Sequence, residues 1–309
     1  MPKQTSLYFF GTHQFGASIL LSLINDDRYN VLGVVTQPDR PVGRKKVMQA
    51  PPVKLVAVEH NITVFQPARL KQFEIEHDID VAVVAQYGNL IPKRLLDHPK
   101  HGMINVHTSL LPKYRGASPI QSALINGDAT TGVTIMNMDV GMDTGNILTQ
   151  KEIVIKDDWT YLDLDSALAI ISGPLLVDTV SQYIDGSITP QVQDEALVSH
   201  CSQLTRDAGK VDWSDTANNI YNQYRGLTPW PGLWTMWQGK RIKLHKISLS
   251  EVTVAIGEVK KIENIVHIGT SNGSITIQNL QIEGKPAMDI DVFVNGYKEF
   301  VGCELVTSD

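Results

Sequence analysis

The sequence predicts an α/β protein with a mostly parallel sheet, followed by a small all-β domain. From Ser6 to about Val154, short β-branched runs alternate with segments of helical periodicity, as in a parallel sheet covered by crossover helices. After about residue 205 the apolar runs are short and separated by Gly, Asn and Ser, which is typical of a small barrel. A chain of 309 residues, 42% of them hydrophobic and 19% charged, suits a folded protein of about two domains.

The predicted strands of the first domain are short runs rich in β-branched and aromatic residues. They are Leu7–Phe10, Val31–Thr36, Ile62–Phe65, Val81–Ala85, Ile104–Val106 and Val133–Met136. The predicted helices are Gln14–Asn25, Pro52–His60, Lys93–Asp97, Pro119–Asn126 and the longer Thr160–Tyr183, which closes the domain. The predicted strands of the second domain are Trp234–Trp237, Arg241–Leu249, Gly257–Ile262, Val266–Thr270 and Ser274–Ile282.

The composition changes near residue 190, where Asp185–Pro190 begins a polar stretch rich in turn residues that continues to about Thr205. Such stretches are typical of connections between domains. We therefore expect a first domain over residues 1–189, a linker over 190–205 and a second domain over 206–309.

The charge and hydropathy of the chain exclude several classes of protein. A net charge of −6, from 27 basic and 33 acidic residues, argues against coating nucleic acid by bulk attraction, so any such contact must be local. We expect no membrane span, because no apolar run approaches the roughly 18–20 residues that a span needs. A strand-like run begins at Ser6, and we therefore expect no leader segment before it.

No metal site is predicted from the sequence. Cys201 and Cys303 lie far apart with no Cys-x-x-Cys or histidine spacing, so neither a disulfide framework nor a zinc site is expected. Asp139 and Asp143 lack the ligand spacing of a calcium loop.

The glycine-rich turn Gly11–Ser18 comes close to a phosphate-binding loop but has Ala17 where that loop has lysine. The G-x-G-x-x-G pattern of dinucleotide sites is missing from it as well. A glycine turn between a strand and a helix is therefore the preferred interpretation.

The stretch Gln37–Pro52 is a connection of 16 residues where an α/β unit usually has about 2–6. Its charged residues are Arg40, Arg44, Lys45 and Lys46 against Asp39 alone, a local charge of 4 − 1 = +3. A solvated charged loop would explain this pattern. The glycine and the prolines, which partly stiffen the loop, favour contact with a polyanion.

Candidate catalytic residues occur at the carboxyl end of a predicted strand. Asn105 and His107 are two residues apart, so both side chains face the same side, at the edge where α/β proteins bind ligands. A carboxamide can donate to an oxyanion and an imidazole can move a proton, while Asp143 on a glycine-rich loop can return to the histidine. The three together suit acyl transfer, although an Asn-x-His pair alone also fits a purely structural histidine.

These residues, together with several other segments, make the chain resemble the methionyl-tRNA formyltransferases over most of its length. The matching segments have a similar order and spacing. They are Thr36–Arg44, Phe65–Pro67, Tyr87–Gly88, Ile104–Pro119, Gly132–Met136, Asp143–Gly145, Val211–Trp213 and Pro229–Gly232. The resemblance implies a Rossmann-like formyltransferase domain joined to a C-terminal barrel, similar to an OB fold, that helps to bind tRNA.

The resemblance also implies the reaction and the partners. The reaction is transfer of a formyl group from 10-formyltetrahydrofolate to the amino group of methionyl initiator tRNA, with no metal. With no leader expected, the predicted location is the bacterial cytoplasm, and the protein is expected to be a monomer with no membrane partner.

Site residues follow from the matching motifs. The implied catalytic trio is Asn105, His107 and Asp143. The implied folate-binding signature is Ser109, Leu110, Leu111 and Pro112, with backbone near Ala85–Ile91 and Met138–Asp143. The implied tRNA contacts are Arg40, Arg44, Lys45 and Lys46 of the insertion, with Arg206 where a linker lysine is common.

One departure and two alternatives stay open. His13 and Gln14 stand where the family usually has a proline-containing G-T-P-x-F turn, which affects the shape of the acceptor pocket. A formyltransferase that acts on a small amine, such as a nucleotide sugar or a glycinamide ribotide, would use the same trio. A folate- or RNA-binding module without catalysis would bind without turnover.

Overall fold

A computed structural model describes residues 4–43 and 46–305 of the chain. The chain divides into two compact units. The first comprises Met1–Pro119, Thr130–Val154 and Asp165–Ser202, and the second comprises Ile120–Ala129, Ile155–Leu164 and Gln203–Asp309. Most of the predicted linker, 190–205, thus lies inside the first unit, whereas the functional domain boundaries at 189 and 206 stay a prediction.

The first unit is built on a seven-stranded sheet with the order β10-β9-β7-β6-β1-β2-β5. Its strands are β1 (Thr5–Gly11), β2 (Tyr29–Val35), β5 (Val64–Phe65), β6 (Val81–Ala85), β7 (Met103–His107), β9 (Thr130–Asn137) and β10 (Ile147–Val154). Two short pairs lie outside it, β3 (Arg40–Val42) with β4 (Val47–Gln49), and β8 (Arg115–Gly116) with β11 (His200–Cys201). The five strands from β5 to β7 in this order are parallel, and β9 and β10 are antiparallel, so the predicted α/β class with a mostly parallel sheet is confirmed.

Central strands of this sheet are covered on both faces. Leu7–Phe10 in β1 and Val81–Val83 in β6 are buried throughout, which explains why the sequence shows continuous apolar runs here rather than alternation. The helices of this part of the chain are α1 (Gln14–Ile24), α2 (Pro52–Glu59), α3 (Lys93–Leu96), α4 (Pro119–Ile125) and α5 (Tyr161–Ile184), and of these α4 belongs almost entirely to the second unit. In α1, Phe15, Ile19 and Leu23 recur every four residues and are buried.

Contrary to the expectation from the sequence, one helix is long and apolar enough to span a bilayer by length and composition, namely α5. The apolar run was missed because serine and aspartate interrupt it. Leu168, Leu176 and Val180 are fully buried. A Cβ on Gly173 would lie 2.1 Å from Ser22 Oγ, so α5 packs closely on α1. One face of α5 thus packs into the first unit, and the absence of a membrane partner stays a prediction.

The second unit is an antiparallel sheet with two helices around one core. Its strands are β12 (Leu233–Trp237), β13 (Lys240–Ser250), β14 (Val259–Ile262), β15 (Ile265–Gly269), β16 (Ser274–Ile282) and β17 (Met288–Asp289), and its own helices are α6 (Ala217–Leu227) and α7 (Ile290–Gly296). The strand order is β12-β13-β16-β15-β14, with β17 on β16, which is consistent with the predicted small barrel. Trp213 lies fully buried in the core, and its indole N–H donates to Thr235 Oγ1 at 3.1 Å.

Candidate active site

Strand β7 places Asn105 and His107 at the carboxyl edge of the sheet. Asn105 lies between Val84 of β6 and Met136 of β9, so neighbouring strands fix its backbone on both sides. Its carboxamide is half-buried and has no hydrogen-bond partner among residues 4–43 and 46–305. The carboxamide N–H groups can therefore donate to a bound ligand.

His107 is buried, with only 6% of its side chain exposed, and both of its ring nitrogens face oxygen atoms. Nε2 lies 3.0 Å from the carbonyl oxygen of Tyr114, and Nδ1 lies 3.7 Å from Oδ1 of Asp143. Because a carbonyl oxygen can only accept, Nε2 carries a hydrogen. In the neutral ring Nδ1 is then the unprotonated nitrogen, and it faces the carboxylate.

Asp143 reaches His107 from the loop between β9 and β10. Its backbone has φ +55°, a left-handed conformation that aspartate adopts more readily than most residues. Its Oδ2 accepts from the backbone N–H of Gly116 at 2.8 Å, which leaves Oδ1 directed at the imidazole. The structure therefore brings the predicted trio's histidine and aspartate together, although 36 residues separate them in the sequence.

The loop that carries Asp143 is held by its own hydrogen bonds. Asp139 Oδ1 accepts from the backbone N–H of Gly141 at 3.0 Å and from Thr144 Oγ1 at 2.6 Å. A Cβ on Gly145 would lie 1.7 Å from the carbonyl oxygen of Asn137, so only glycine allows the backbone to return this closely to β9. These contacts fix the conformation of the loop in the folded protein.

The segment Ser109–Pro112, which was predicted to bind folate, follows directly after His107. Its polar groups bond within the protein: Ser109 Oγ donates to the Lys113 carbonyl at 2.5 Å, and Thr134 Oγ1 donates to the Ser109 carbonyl at 2.7 Å. The N–H of Leu111 donates to Thr134 Oγ1 at 3.0 Å. The turn is therefore rigid, and Leu110 and Pro112, both half-buried, offer a ligand apolar contact.

Three residues that sequence reasoning missed support the trio. They are Thr134, whose hydroxyl holds the Ser109 turn, Arg115 and Gln193. Arg115 is buried, and its guanidinium donates to Gln193 Oε1 at 3.0 Å and to Glu195 Oε1 at 2.8 Å. Hydrogen bonding to the Arg115 guanidinium is the main reason that the pKa of Glu195 is lowered. No local pattern in the sequence marks this cluster, because Gln193 and Glu195 lie in a polar stretch of turn residues and reach Arg115 only through the fold.

A cavity of about 450 Å³ opens near the carboxyl end of β6. Its lining combines apolar and basic side chains. They are Arg69, Leu70, Lys71, Leu90, Ile91 and Pro92. Leu90 and Ile91 belong to the loop that was predicted to lie beside the pterin, and 85% of Leu90 is exposed.

Comparison with known proteins decides the family. A formyl transferase family profile matches residues 5–180, and a formyl transferase C-terminal domain profile matches residues 203–298. The methionyl-tRNA formyltransferase of Caldicellulosiruptor saccharolyticus is 40% identical over 303 residues, covering 94% of this chain and 97% of that protein. The methionyl-tRNA formyltransferase of Streptococcus agalactiae is 41% identical over 298 residues, with coverages of 94% and 96%. The chain belongs to the methionyl-tRNA formyltransferase family.

The fold of the chain is shared with more distant formyltransferases. An N-formyltransferase from Helicobacter canadensis, solved in complex with folinic acid and dTDP-3-aminofucose, superposes with a TM-score of 0.68 at 19% identity. That match covers 89% of this chain and 99% of the other. The predicted Rossmann-like formyltransferase fold is thus confirmed together with the family.

The basic insertion of this family member forms a hairpin instead of an irregular loop. Strands β3 and β4 pair with Arg40 opposite Gln49, and Arg40 and Lys46 are exposed, whereas Arg44 and Lys45 lie outside the described residues. Asp39, the acidic residue of the insertion, forms an ion pair with Lys54 at 2.8 Å. The exposed charge of the described part of the hairpin is therefore positive.

His13, which stands where the family usually has proline, lies close enough to the hairpin to be affected by the charge of Arg40. His13 is exposed at the N-terminus of α1, and its side chain does not cap the helix. Partial desolvation, and then the positive charge of Arg40, lower the pKa of His13. Beside it the carbonyl oxygen of Tyr87 accepts from Thr12 Oγ1 at 3.0 Å and from Gln37 Nε2 at 2.9 Å, so the loops after β1, β2 and β6 are joined without the usual proline.

The remaining predictions concern the tRNA contact Arg206 and the absence of a metal site. Arg206, in the second unit, is exposed, and its carbonyl oxygen accepts from the indole N–H of Trp234 at 3.0 Å. Over residues 4–43 and 46–305, no group of three or more His, Cys, Asp or Glu side chains is placed to hold a metal ion.

Proposed function

We propose that this chain transfers the formyl group of 10-formyltetrahydrofolate to the amino group of methionyl initiator tRNA. The observation that carries the proposal is the approach of Asp143 to His107 at the end of β7, the strand that also carries Asn105 two residues before the histidine. The 40–41% identity to methionyl-tRNA formyltransferases along nearly the whole chain supports this acceptor over a nucleotide sugar or a glycinamide ribotide.

In the proposed mechanism the neutral methionyl amine attacks the formyl carbon of the donor. Asn105 donates a hydrogen bond to the carbonyl oxygen as it becomes an oxyanion, and Nδ1 of His107 takes the proton from the amine. The bond between the formyl carbon and N10 then breaks, and His107 returns the proton to N10. The products are formyl-methionyl-tRNA and tetrahydrofolate, and the histidine is restored.

Asp143 has an electrostatic role in this scheme. Its Oδ1 lies 3.7 Å from Nδ1 of His107, close enough to stabilise the positive charge that the imidazole gains with the proton. The Tyr114 carbonyl holds the other ring nitrogen, so the ring does not rotate as the proton moves.

The binding residues follow the same proposal. The folate donor lies against Ser109, Leu110, Leu111 and Pro112, the rigid turn that directly follows the catalytic histidine. The tRNA backbone is contacted by Arg40, Arg44, Lys45, Lys46 and Arg206, which is supported by the exposure of the three of these that the structure describes. The protein acts as a monomer in the bacterial cytoplasm.

The deciding experiment is transfer of radiolabelled formyl from 10-formyltetrahydrofolate to methionyl initiator tRNA. Elongator methionyl-tRNA, a nucleotide amino sugar and glycinamide ribotide serve as parallel acceptors. We expect label on initiator tRNA alone at low enzyme concentration. Label on a small amine instead would favour a formyltransferase that acts on small amines. Binding of folate or tRNA without any transfer would favour a binding module.

A further inference from the structure

Gln193 is a buried side chain with three hydrogen bonds at the candidate active site. Only 4% of the residue is exposed. Its Nε2 donates to the carbonyl oxygens of Asp143 and Gly145, both at 2.8 Å, and its Oε1 accepts from Nε of Arg115 at 3.0 Å. Since carbonyl oxygens only accept and a guanidinium only donates, one orientation of the amide satisfies all three partners.

The two carbonyls lie on either side of Thr144, so Gln193 clamps the turn that carries the catalytic aspartate. Asp143 has a left-handed backbone, which side chains generally disfavour and which surrounding contacts must hold in place. Within the described residues, the Gln193 side chain is the one whose hydrogen bond reaches the Asp143 carbonyl. The Asp143 backbone conformation in turn sets where its Oδ1 lies relative to His107.

Residues 190–202, which we name the strap, connect this clamp to the loop after His107. The N–H of Tyr114 donates to Ser199 Oγ at 2.9 Å, and the N–H of Arg115 donates to the Ser199 carbonyl at 2.8 Å. At the other end of the strap, Gln191 and Ile147 exchange two backbone hydrogen bonds of 2.8 Å. The strap thus holds both loops that contact the imidazole, through Tyr114 on one side and Asp143 on the other.

We infer that Gln193 is a positioning residue for formyl transfer, which holds Asp143 against His107 and contacts neither substrate. The inference rests on the proposed function of the trio. Gln193, a single side chain in a stretch with the composition of a linker, thus positions a proposed catalytic group.

The test is a double-mutant cycle on the full-length protein. Gln193→Leu keeps the volume of the side chain but removes all three hydrogen bonds. The control, Gln191→Leu, makes the same change at an exposed position whose two hydrogen bonds to Ile147 are made by the backbone and are kept. For Gln193→Leu we expect kcat for formyl transfer to fall roughly 10- to 100-fold, because small displacements of a catalytic group are costly. The KM values for donor and tRNA should stay within about twofold, since no substrate contact is lost.

Measuring Gln193→Leu in a protein that already carries Asp143→Asn distinguishes a positioning role of Gln193 from a general effect on stability. If Gln193 acts through Asp143, Gln193→Leu should lower kcat less than about threefold further in a protein that already carries Asp143→Asn. An equal loss in both backgrounds, or a kcat for Gln193→Leu equal to that of Gln191→Leu, would overturn the inference. If Gln193→Leu does not fold, Gln193→Glu replaces it, because the carboxylate keeps the acceptor for Arg115 while losing the donor to Asp143.

A spectroscopic measurement distinguishes failure of this inference from failure of the proposed function. We expect the ring ¹⁵N chemical shifts of His107 to change in Gln193→Leu and to be unchanged in Gln191→Leu. This readout needs no substrate, so it tests the positioning even if the wild-type protein formylates no tRNA. Unchanged His107 shifts in Gln193→Leu would refute the positioning role, whatever the activity.

Discussion

Asp143 divides its two carboxylate oxygens between two tasks. Oδ2 accepts from the backbone of Gly116, which fixes the carboxylate, and Oδ1 faces His107. Gly116 itself has φ +127°, and a Cβ there would lie 2.1 Å from the Cys201 carbonyl, so glycine is required where the loop meets the strap. The position of the Asp143 carboxylate thus depends on backbone contacts as much as on its own side chain.

Replacement of Asn105, the proposed oxyanion donor, gives the most direct test at the residue scale. Asn105→Ala should lower kcat by roughly 10²–10³-fold, the usual cost of one lost donor, with little change in the melting temperature because the carboxamide bonds no described residue. Steady-state kinetics and thermal unfolding measure both. Asn30→Ala, on an exposed strand position, is the matched control. Normal turnover by Asn105→Ala would remove Asn105 from the mechanism.

A second residue-scale prediction concerns acid stability. The backbone N–H of Ser6, with the Ser6 hydroxyl and Lys100 adding to it, lowers the pKa of Asp80 to about 2. A carboxyl whose folded pKa lies below its unfolded value of about 3.9 contributes stability above that value and loses it as the pH falls toward the folded pKa. The contribution is about 2 kcal/mol, for a side chain that is 16% exposed.

Asp80→Asn should therefore reduce the free energy of unfolding at pH 7 and flatten its fall between about pH 5 and pH 2. Urea unfolding of both proteins across this range measures the difference. Parallel pH profiles for the two proteins would show that Asp80 carries no such linkage.

Among the elements, the β3–β4 hairpin carries the proposed contact with tRNA. Arg40→Ala and Lys46→Ala should each weaken tRNA binding and reduce the slope of log K against log salt by about 1 if the side chain contacts a phosphate. Lys151→Ala, an exposed lysine on β10, provides a control of equal charge change. Filter binding between low and moderate salt gives the slopes, and slopes equal to the wild type for both hairpin variants would exclude phosphate contacts by these residues.

Elements with strong local patterns could be predicted from the sequence, and elements formed by tertiary contacts could not. Strand β6 and strand β16 have the predicted bounds, because each is a continuous run with turn residues on both sides. The two-residue pair of β8 and β11 has no periodicity of its own and forms only because the strap returns to the loop after His107. Helix α6 was missed since it is rich in Asn, Gln and Tyr, although Thr216 caps it by accepting from the Asn219 N–H.

The same distinction applies to the candidate site. Asn105 and His107 could be placed together from strand geometry alone, and Asp143 came from the chemistry that the pair requires. Gln193 could not be predicted. It lies in a polar stretch of turn residues, where no local pattern indicates that its side chain is buried or bonds to the backbone of Asp143. Long-range contacts of this kind appear only when the chain is folded.

At the scale of the whole molecule, the two units share the chain in alternating segments. The second unit takes 120–129 and 155–164 from the half of the chain that supplies most of the first unit. Ile125 packs against the core of the second unit, and Arg225 Nη1 donates to the Lys156 carbonyl at 3.0 Å. These two segments complete the second unit.

A fragment of residues 203–309 should therefore be less stable than the second unit of the intact protein. It lacks the carbonyls of Lys156 and Trp159, which leaves the buried Arg225 guanidinium with two partners fewer, and it exposes Gly226, which lies against Ile125 in the intact protein. Circular dichroism during thermal unfolding compares the fragment with the full chain. A fragment that unfolds cooperatively at the midpoint of the intact protein would show that the two segments contribute nothing.

The alternating path also bears on how such proteins diversify. The polypeptide passes between the units five times, at 119/120, 129/130, 154/155, 164/165 and 202/203. A single genetic crossover could replace residues 203–309 with the same region of another lineage. Ile125 and Lys156 would then lose the residues of the second unit that they contact in this protein. The two units should therefore be inherited together.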